Sequence, residues 1–408
     1  MSHFKFYSAL YGYFFIVMLL HSKKYKLIAV MGFTQILAWS STFYLPAVLA
    51  NLIAKDTGWS LTLVIAGLSW GFIVTGICSP KVGRFIEQFG GRKALSIGSI
   101  FFAVGLICLG LSTYLLIYYF AWTMLGIGMA FGLYDAAFST LGRLLGKDAK
   151  TAIVGVTLLG GLASTIGWAL IVFLEGLYGW RISCFILALF HLLLGLPLHY
   201  FLLPREEQGT ETHGKELNNQ TTGHKEDNRL FMLVAAILTV QSFVVATISV
   251  HLLSMLKTIG FSLSTALAIG MMIGPAQILA RLLEFSLFRN IHPSWSSRLG
   301  VLISFFGLFF LFADGYVLAL LGAALYGAGN GILTIIRGTL PLALFGQEGY
   351  AIRMGLLGRP IMIALAFGPL ISAFILEKWG INILLIILTA LVFITLLGTL
   401  KLPIHQQD

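Results

Sequence analysis

The sequence predicts an all-α membrane protein whose twelve transmembrane helices form two pseudo-symmetric six-helix bundles. Three observations carry that expectation. The 408 residues are 58% hydrophobic and only 10% charged, against about 25% charged in an ordinary soluble domain, which excludes a soluble enzyme. Apolar runs of the length needed to cross a bilayer, about 20 residues, recur along the chain. The two halves of the chain also echo one another in several places.

Taken in order, residues 1–26 form an N-terminal extension. Its apolar run at 6–20 is short for a crossing, and Lys23, Lys24 and Lys26 follow it. Charge after the run and no clear small-residue cleavage site argue against a signal peptide, so this stretch is expected to be cytoplasmic or interfacial. Six runs follow near 27–51, 61–80, 94–113, 115–138, 151–174 and 182–203, giving a first bundle over 27–203. A polar stretch rich in Glu, Lys, Thr, Asn and Gly, 204–229, reads as a cytoplasmic linker. Six more runs near 230–254, 262–283, 299–313, 316–337, 354–376 and 381–400 give a second bundle over 230–401, and 402–408 is a cytoplasmic tail. These runs are called spans 1 to 12. Cys78, Cys108 and Cys184 all lie within apolar runs without metal-ligand spacing and read as small packing residues.

Orientation follows from Lys and Arg, which cytoplasmic loops hold in excess. With both termini inside, the inside segments carry 19 basic residues and the outside loops four: Lys55, Arg181, Lys257 and Lys378. The net charge of +10 then resolves into +9 on the cytoplasmic side, +1 within the spans and none outside. A basic balance spread over loops in this way is a topology signal and gives no support to nucleic-acid binding.

The repeat is weak but ordered. GRFIEQFGGRK after span 2, with Arg84 and Glu87, matches ARLLEFSLFRN at span 8, with Arg281 and Glu284, at an offset of 197. Gln35 in span 1 answers Gln241 in span 7, and Glu175 to Gly179 answers Glu377 to Gly380. Aligning Gly126 and Gly128 with Gly327 and Gly329 puts Asp135 within one residue of Arg337.

With these features the chain resembles the major facilitator superfamily of secondary transporters. The segment between spans 2 and 3 looks like that family's loop signature, here Gly83, Glu87, Gly90 or Gly91, Arg92 and Lys93. The resemblance implies alternating access by two bundles rocking about a midplane site, with spans 1, 4, 7 and 10 lining the cavity. Two departures separate the chain from the family's proton-linked drug exporters. Trp122 stands where they carry an Arg four residues before a Gly, and span 5 has Gly160, Gly161 and Gly167 without their Pro.

Charged groups inside spans are costly and call for a role; these are Asp135, Arg281, Glu284, Arg337 and Arg359. Arg281 and Glu284, three apart on one helix face, join Gly83, Arg84, Glu87, Arg92 and Lys93 as a cytoplasmic latch; the plainer reading is snorkelling charge at helix ends. Asp135 and Arg337 are either the proton-coupling group and its partner, a breakable inner gate, or a static ion pair. Arg359 is a candidate for an anionic substrate group, with a helix partner as the alternative. Gln35, Trp39, Ser40, Tyr44, Tyr134, Gln241 and Asn330 are the remaining cavity candidates, although such residues also bond between helices. His251, the lone His on a cavity helix, is either a sensor of acid or an interfacial anchor.

The expected function is secondary transport of a small organic solute, anionic by the span charge, across the cytoplasmic (inner) membrane with a proton as coupling ion. Proton-coupled efflux of hydrophobic or cationic toxic compounds is the alternative, which eight Trp residues could accommodate. A membrane enzyme would need clustered catalytic side chains and a channel would show polar rings; neither pattern is present in the sequence. A non-transporting sensor on the same fold stays open. No cofactor, metal or ATPase signature is read, and the expected partners are substrate, coupling ion and lipid, with the protein a monomer.

Overall fold

The computed structural model describes residues 23–205, 225–287, 291–313 and 315–404, and among them every regular element is helical. The expectations for residues 1–22, the middle of the linker, the end of the tail, Arg289 and Asp314 lie outside the described residues.

Among the described residues, ten continuous helical stretches are long and apolar enough to cross a membrane. Two of them, Ala149–Leu202 with 54 residues and Tyr350–Leu400 with 51, would extend roughly 75–80 Å at 1.5 Å per residue, far beyond a bilayer core of about 30 Å. Each is turned back by a glycine in a conformation that side-chain-bearing residues rarely adopt: Gly179 at φ 77°, ψ 166° and Gly380 at φ 77°, ψ 178°. The two stretches are therefore four spans, which brings the total to twelve, and the two hinges fall at the positions that the repeat equates.

A second repeat signal lies in the helix starts. Ser60 caps span 2 by accepting from the Leu63 amide at 3.3 Å, and Ser262 caps span 8 by accepting from Thr265 at 3.2 Å. Gly58 and Gly260, both with positive φ, precede them by two residues. The segments TGWSLT and IGFSLS thus share a positive-φ glycine followed two residues later by a capping serine.

Several helices outrun their apolar runs. Span 2 is Leu61–Phe89 and span 10 is Tyr316–Phe345, continuing past Arg84 and Arg337. Arg, Lys and Glu are good helix formers, and the extensions are anchored by buried Ile86 and Leu340. Large apolar side chains such as Leu116, Phe201 and Val317 are exposed, as expected of surfaces that meet lipid.

The packing differs between the two ends of the molecule. At the end where Leu27, Leu203 and Leu402 lie, here termed the linker end, one hydrophobic core contains residues of both bundles: Val82, Leu141 and Ile153 with Ile336, Leu340 and Met354. Gly83 of span 2 packs against the backbone of Ala351 and Gly355 in span 11, an approach only possible without a side chain. Towards the far end the bundles have separate cores. The first is built around Tyr118, Trp122 and Leu106 and takes in only Met362 and Ala366 of the second bundle; the other, with Ile248, Leu308 and Leu384, belongs wholly to the second bundle. The molecule is therefore sealed at its linker end. Cys184 is buried, Cys78 and Cys108 partly so, and all three are free thiols.

Candidate functional site

Four spans are interrupted between their ends. Span 1 breaks between Lys23–Ser40 and Leu45–Thr57, span 4 between Leu115–Gly132 and Tyr134–Leu145, span 5 between Gly160 and Ala163, and span 8 between Leu263–Met271 and Ile273–Leu287. An interruption inside a membrane protein frees backbone groups that must find partners. Gln35 Nε2 donates to Gly132 O at 2.7 Å, Ser40 Oγ donates to Ala163 O at 3.0 Å, and Arg281 Nη1 donates to Thr157 O at 2.9 Å. These bonds tie the breaks of spans 1, 4 and 5 and the second segment of span 8 together, and discontinuous helices mark binding sites in transporters.

Just past the break in span 4, Asp135 sits in the first turn of Tyr134–Leu145, where the helix N-terminus favours a carboxylate. Arg337 of span 10 grips it with two prongs, Nε to Oδ1 at 2.8 Å and Nη2 to Oδ2 at 2.6 Å. Both side chains are close to nine-tenths buried. The pair joins the first bundle to the second, and the backbone of span 11 at Gly358 lies against Asp135 Oδ2.

An aromatic group surrounds the break in span 1. Trp39 packs on Tyr134 at 5.0 Å between ring centres, Phe43 on Tyr44 at 5.0 Å, and Tyr44 edge-on to Trp168 at 5.7 Å. Tyr134 stacks on Phe138 at 5.1 Å. The hydroxyls of Tyr44 and Tyr134 both lie within electrostatic reach of Arg281.

Arg281 and Glu284, grouped as latch residues by their spacing, have different hydrogen-bond partners. Arg281 is 5% exposed and points into the convergence of spans 5, 8 and 10, whereas Glu284 faces span 9 and accepts from Ser296 Oγ at 2.7 Å. Residues three apart diverge by about 60° around a helix, enough here to send them to different neighbours.

The remaining latch candidates bond mainly within the first bundle. Glu87 pairs with Arg143, Arg84 Nε contacts its own helix at Pro80 O, Arg92 lies over the Tyr200 ring, and Lys93 over Phe89. Besides Gly83 on Ala351 and Gly355, further contacts across the bundles at this end come from residues outside the loop signature. Gln347 Nε2 donates to Arg143 O at 2.9 Å, Lys150 Nζ to Ile291 O at 2.7 Å, and Tyr350 packs on Gly142.

Of the cavity candidates, Trp39, Tyr44 and Tyr134 are brought together, while Gln35 and Ser40 are engaged in the interhelical bonds above. Gln241 is buried with Nε2 unpartnered among the described residues. Asn330 is half-buried and its carbonyl accepts from Thr334 Oγ1 at 2.9 Å. Arg359 is exposed, and its carbonyl lies near Gly76 of span 2. His251 Nε2 is 2.9 Å from Pro369 O, a bond between spans 7 and 11 within the second bundle. Two further histidines are buried in the first bundle: His191 faces Ser41 at 2.8 Å, and His199 bridges Ser99 and Thr34. A group of side chains able to hold a metal is absent among the described residues.

Comparison with known proteins places this architecture. Solved structures share it, among them the following two. The human organic anion transporter MFSD10 (TETRAN) superposes with a TM-score of 0.74 at 14% identity, over 93% of this chain and 100% of that one. The proton:xylose symporter XylE superposes with a TM-score of 0.69 at 15% identity, over 95% and 97%. Multidrug resistance protein 2 of Bacillus subtilis (strain 168) is 30% identical over 73 residues, which is 16% of this chain and 18% of the relative. The alignment thus spans less than a fifth of that relative's length. The family model described as Major Facilitator Superfamily matches residues 29–289, well over half of the chain, and with the twelve spans in two bundles this shows that the protein belongs to the major facilitator superfamily of membrane transporters.

Proposed function

We propose that the protein is a secondary active transporter of a small organic anion, driven by the proton gradient across the cytoplasmic membrane. The observation that carries this reading is the buried two-pronged Asp135–Arg337 pair, which ties the two bundles together beside the interrupted spans. A bond that straddles the moving bodies must break whenever the linker end opens. Protonating Asp135 removes one of its charges, so proton entry and opening are linked through the same atoms. The surplus of arginine over carboxylate in the spans, with Arg337 already neutralised, favours a substrate that brings negative charge.

The excess of basic residues in the loops of the linker end supports a cytoplasmic position for that end, with both termini there and the seal holding the site outward. Residues 27–203 and 230–401 act as the two rocking units, and each molecule works as a monomer. Gly83, Ala351 and Gly355 form the contact that must part for inward opening.

A second reading, efflux of hydrophobic or cationic compounds, is favoured by the match to a multidrug resistance protein over 73 residues and by the aromatic group around Trp39. Transport in proteoliposomes under an imposed pH gradient separates the two: anion movement that follows the gradient supports the first, and proton-driven movement of cationic dyes alone supports the second. An Asp135→Asn protein that still drives full uphill transport would remove the coupling role from that residue.

A further inference from the structure

The Arg281 guanidinium is the most unusual charge in the molecule. It is 95% buried, with a relative exposure of 5%, yet among the described residues it meets no carboxylate. Nη1 is committed to Thr157 O at 2.9 Å. The other edge is not: Nη2 has only long contacts, 3.4 Å to Gln277 Oε1 and 3.3 Å to Thr334 Oγ1, and Nε is buried without a partner. That edge, Nε with Nη2, is the one through which Arg337 takes both oxygens of Asp135. The protein thus displays the same bidentate fork twice, once filled by its own carboxylate and once open. A buried cation with an unsatisfied donor is costly unless something completes it.

The surroundings limit what that can be. Asp135 neutralises Arg337, so the charge that remains at this convergence of spans is that of Arg281, and a single carboxylate would balance it. The hydroxyls of Tyr44 and Tyr134 are within electrostatic reach of Arg281. The rings beside them are flat and largely apolar: Trp39 packs on Tyr134, and Tyr44 on Phe43 and Trp168. Aromatic faces pair well with a planar apolar body.

Resting on the anion-transport reading above, we propose that Arg281 anchors the substrate and that the substrate class is the aromatic monocarboxylates. The carboxylate is held side-on by Nε and Nη2, and the ring lies against Trp39 and Tyr134. Nη1 keeps its bond to Thr157 O, so the arginine that holds the anion also ties span 8 of the second bundle to the broken span 5 of the first.

The test uses the purified full-length protein in detergent and measures binding by calorimetry for four probes of similar size: benzoate, the neutral benzamide, the cationic benzylamine and the dianion succinate. Benzoate is expected to bind at least about tenfold more tightly than benzamide and than succinate. Arg281→Gln should remove that preference, and Arg281→Lys, which has no two-pronged edge, should keep only part of it. Equal binding of benzoate and benzamide, or an Arg281→Gln protein that folds and binds benzoate as tightly as the parent, overturns the proposal. If Arg281→Gln does not fold, the benzoate to benzamide ratio of the parent protein and its loss in Trp39→Leu decide in its place. Binding of succinate without benzoate sinks the aromatic class while leaving anion transport standing; binding of benzylamine alone sinks both.

Discussion

Two arginines of the second bundle, Arg337 on span 10 and Arg281 on span 8, are both buried and both reach across to the first bundle, yet they are built for different work. Arg337 ends on a carboxylate of span 4 through two short bonds. Arg281 ends on a backbone carbonyl of span 5 and leaves its second edge open. Burial alone does not tell what a charge in a membrane protein is for; the partner does. A charge satisfied by the protein itself holds a conformation, while one left unsatisfied awaits a ligand.

The largest effect should come from breaking the filled fork. Removing one partner of a buried ion pair typically costs about 3–5 kcal/mol because the other charge is left uncompensated. Asp135→Ala is expected to lose that much in denaturant or thermal unfolding and to be inactive in transport. The double variant Asp135→Asn with Arg337→Gln should regain most of the stability, since no lone charge remains. If single and double variants are equally destabilised, the two residues are not coupled and the gate reading fails.

Next comes the seal that the pair supports. Gly355→Leu places a side chain where Ser79 O and the Gly83 backbone now stand, and overpacking of this kind costs about 1–3 kcal/mol. The cost falls on the closed linker end, so the population should shift towards opening there by roughly fivefold or more. Alkylation of Ser79→Cys, placed at a residue 4% exposed in a background lacking the three native cysteines, reports the shift; an unchanged rate would mean that the contact does not hold the seal.

Much of the architecture was legible in the sequence, and the particular residues show why. Hydropathy fixed the spans, and the glycine alignment paired Asp135 with Arg337 because depth in a helix is a one-dimensional property. Rotation about the helix is not. Arg281 and Glu284, grouped by their spacing, face different neighbours, and Gln35 and Ser40 serve helix breaks that apolar runs do not announce. The partners of Arg281, namely Thr157 O, Gln277 and Thr334, lie on three spans and share no motif. TGWSLT and IGFSLS carry the repeat in a glycine, an aromatic ring, a capping serine and a leucine rather than in charge.

The open fork predicts a smaller effect on stability than the filled one. Arg281→Gln removes one charge-assisted hydrogen bond to a carbonyl, worth about 1.5–3 kcal/mol, but also removes a buried charge without a counterion, which offsets most of it. Unfolding should shift by less than about 1 kcal/mol while binding of a carboxylate probe is lost. A loss as large as that of Asp135→Ala would show that Arg281 is a structural charge and that the two sites are alike.

The smallest effect belongs to an ion pair that lies within one bundle. Asp56 and Arg181 meet at 2.9 Å at the far end of the first bundle, both partly exposed, with Arg181 also donating to Gly110 O and Ser112 O. Exposed pairs contribute about 0.2–1 kcal/mol and are screened by salt. Asp56→Asn should therefore lower stability by at most that amount, less at high ionic strength, and leave the transport rate unchanged. The reason is positional as well as energetic: both partners ride on the same moving body, so their bond is made in every state and biases none. A clear change in transport rate for Asp56→Asn would mean that the first bundle does not move as a unit, and that the contrast between pairs within a bundle and pairs across bundles does not govern this transporter.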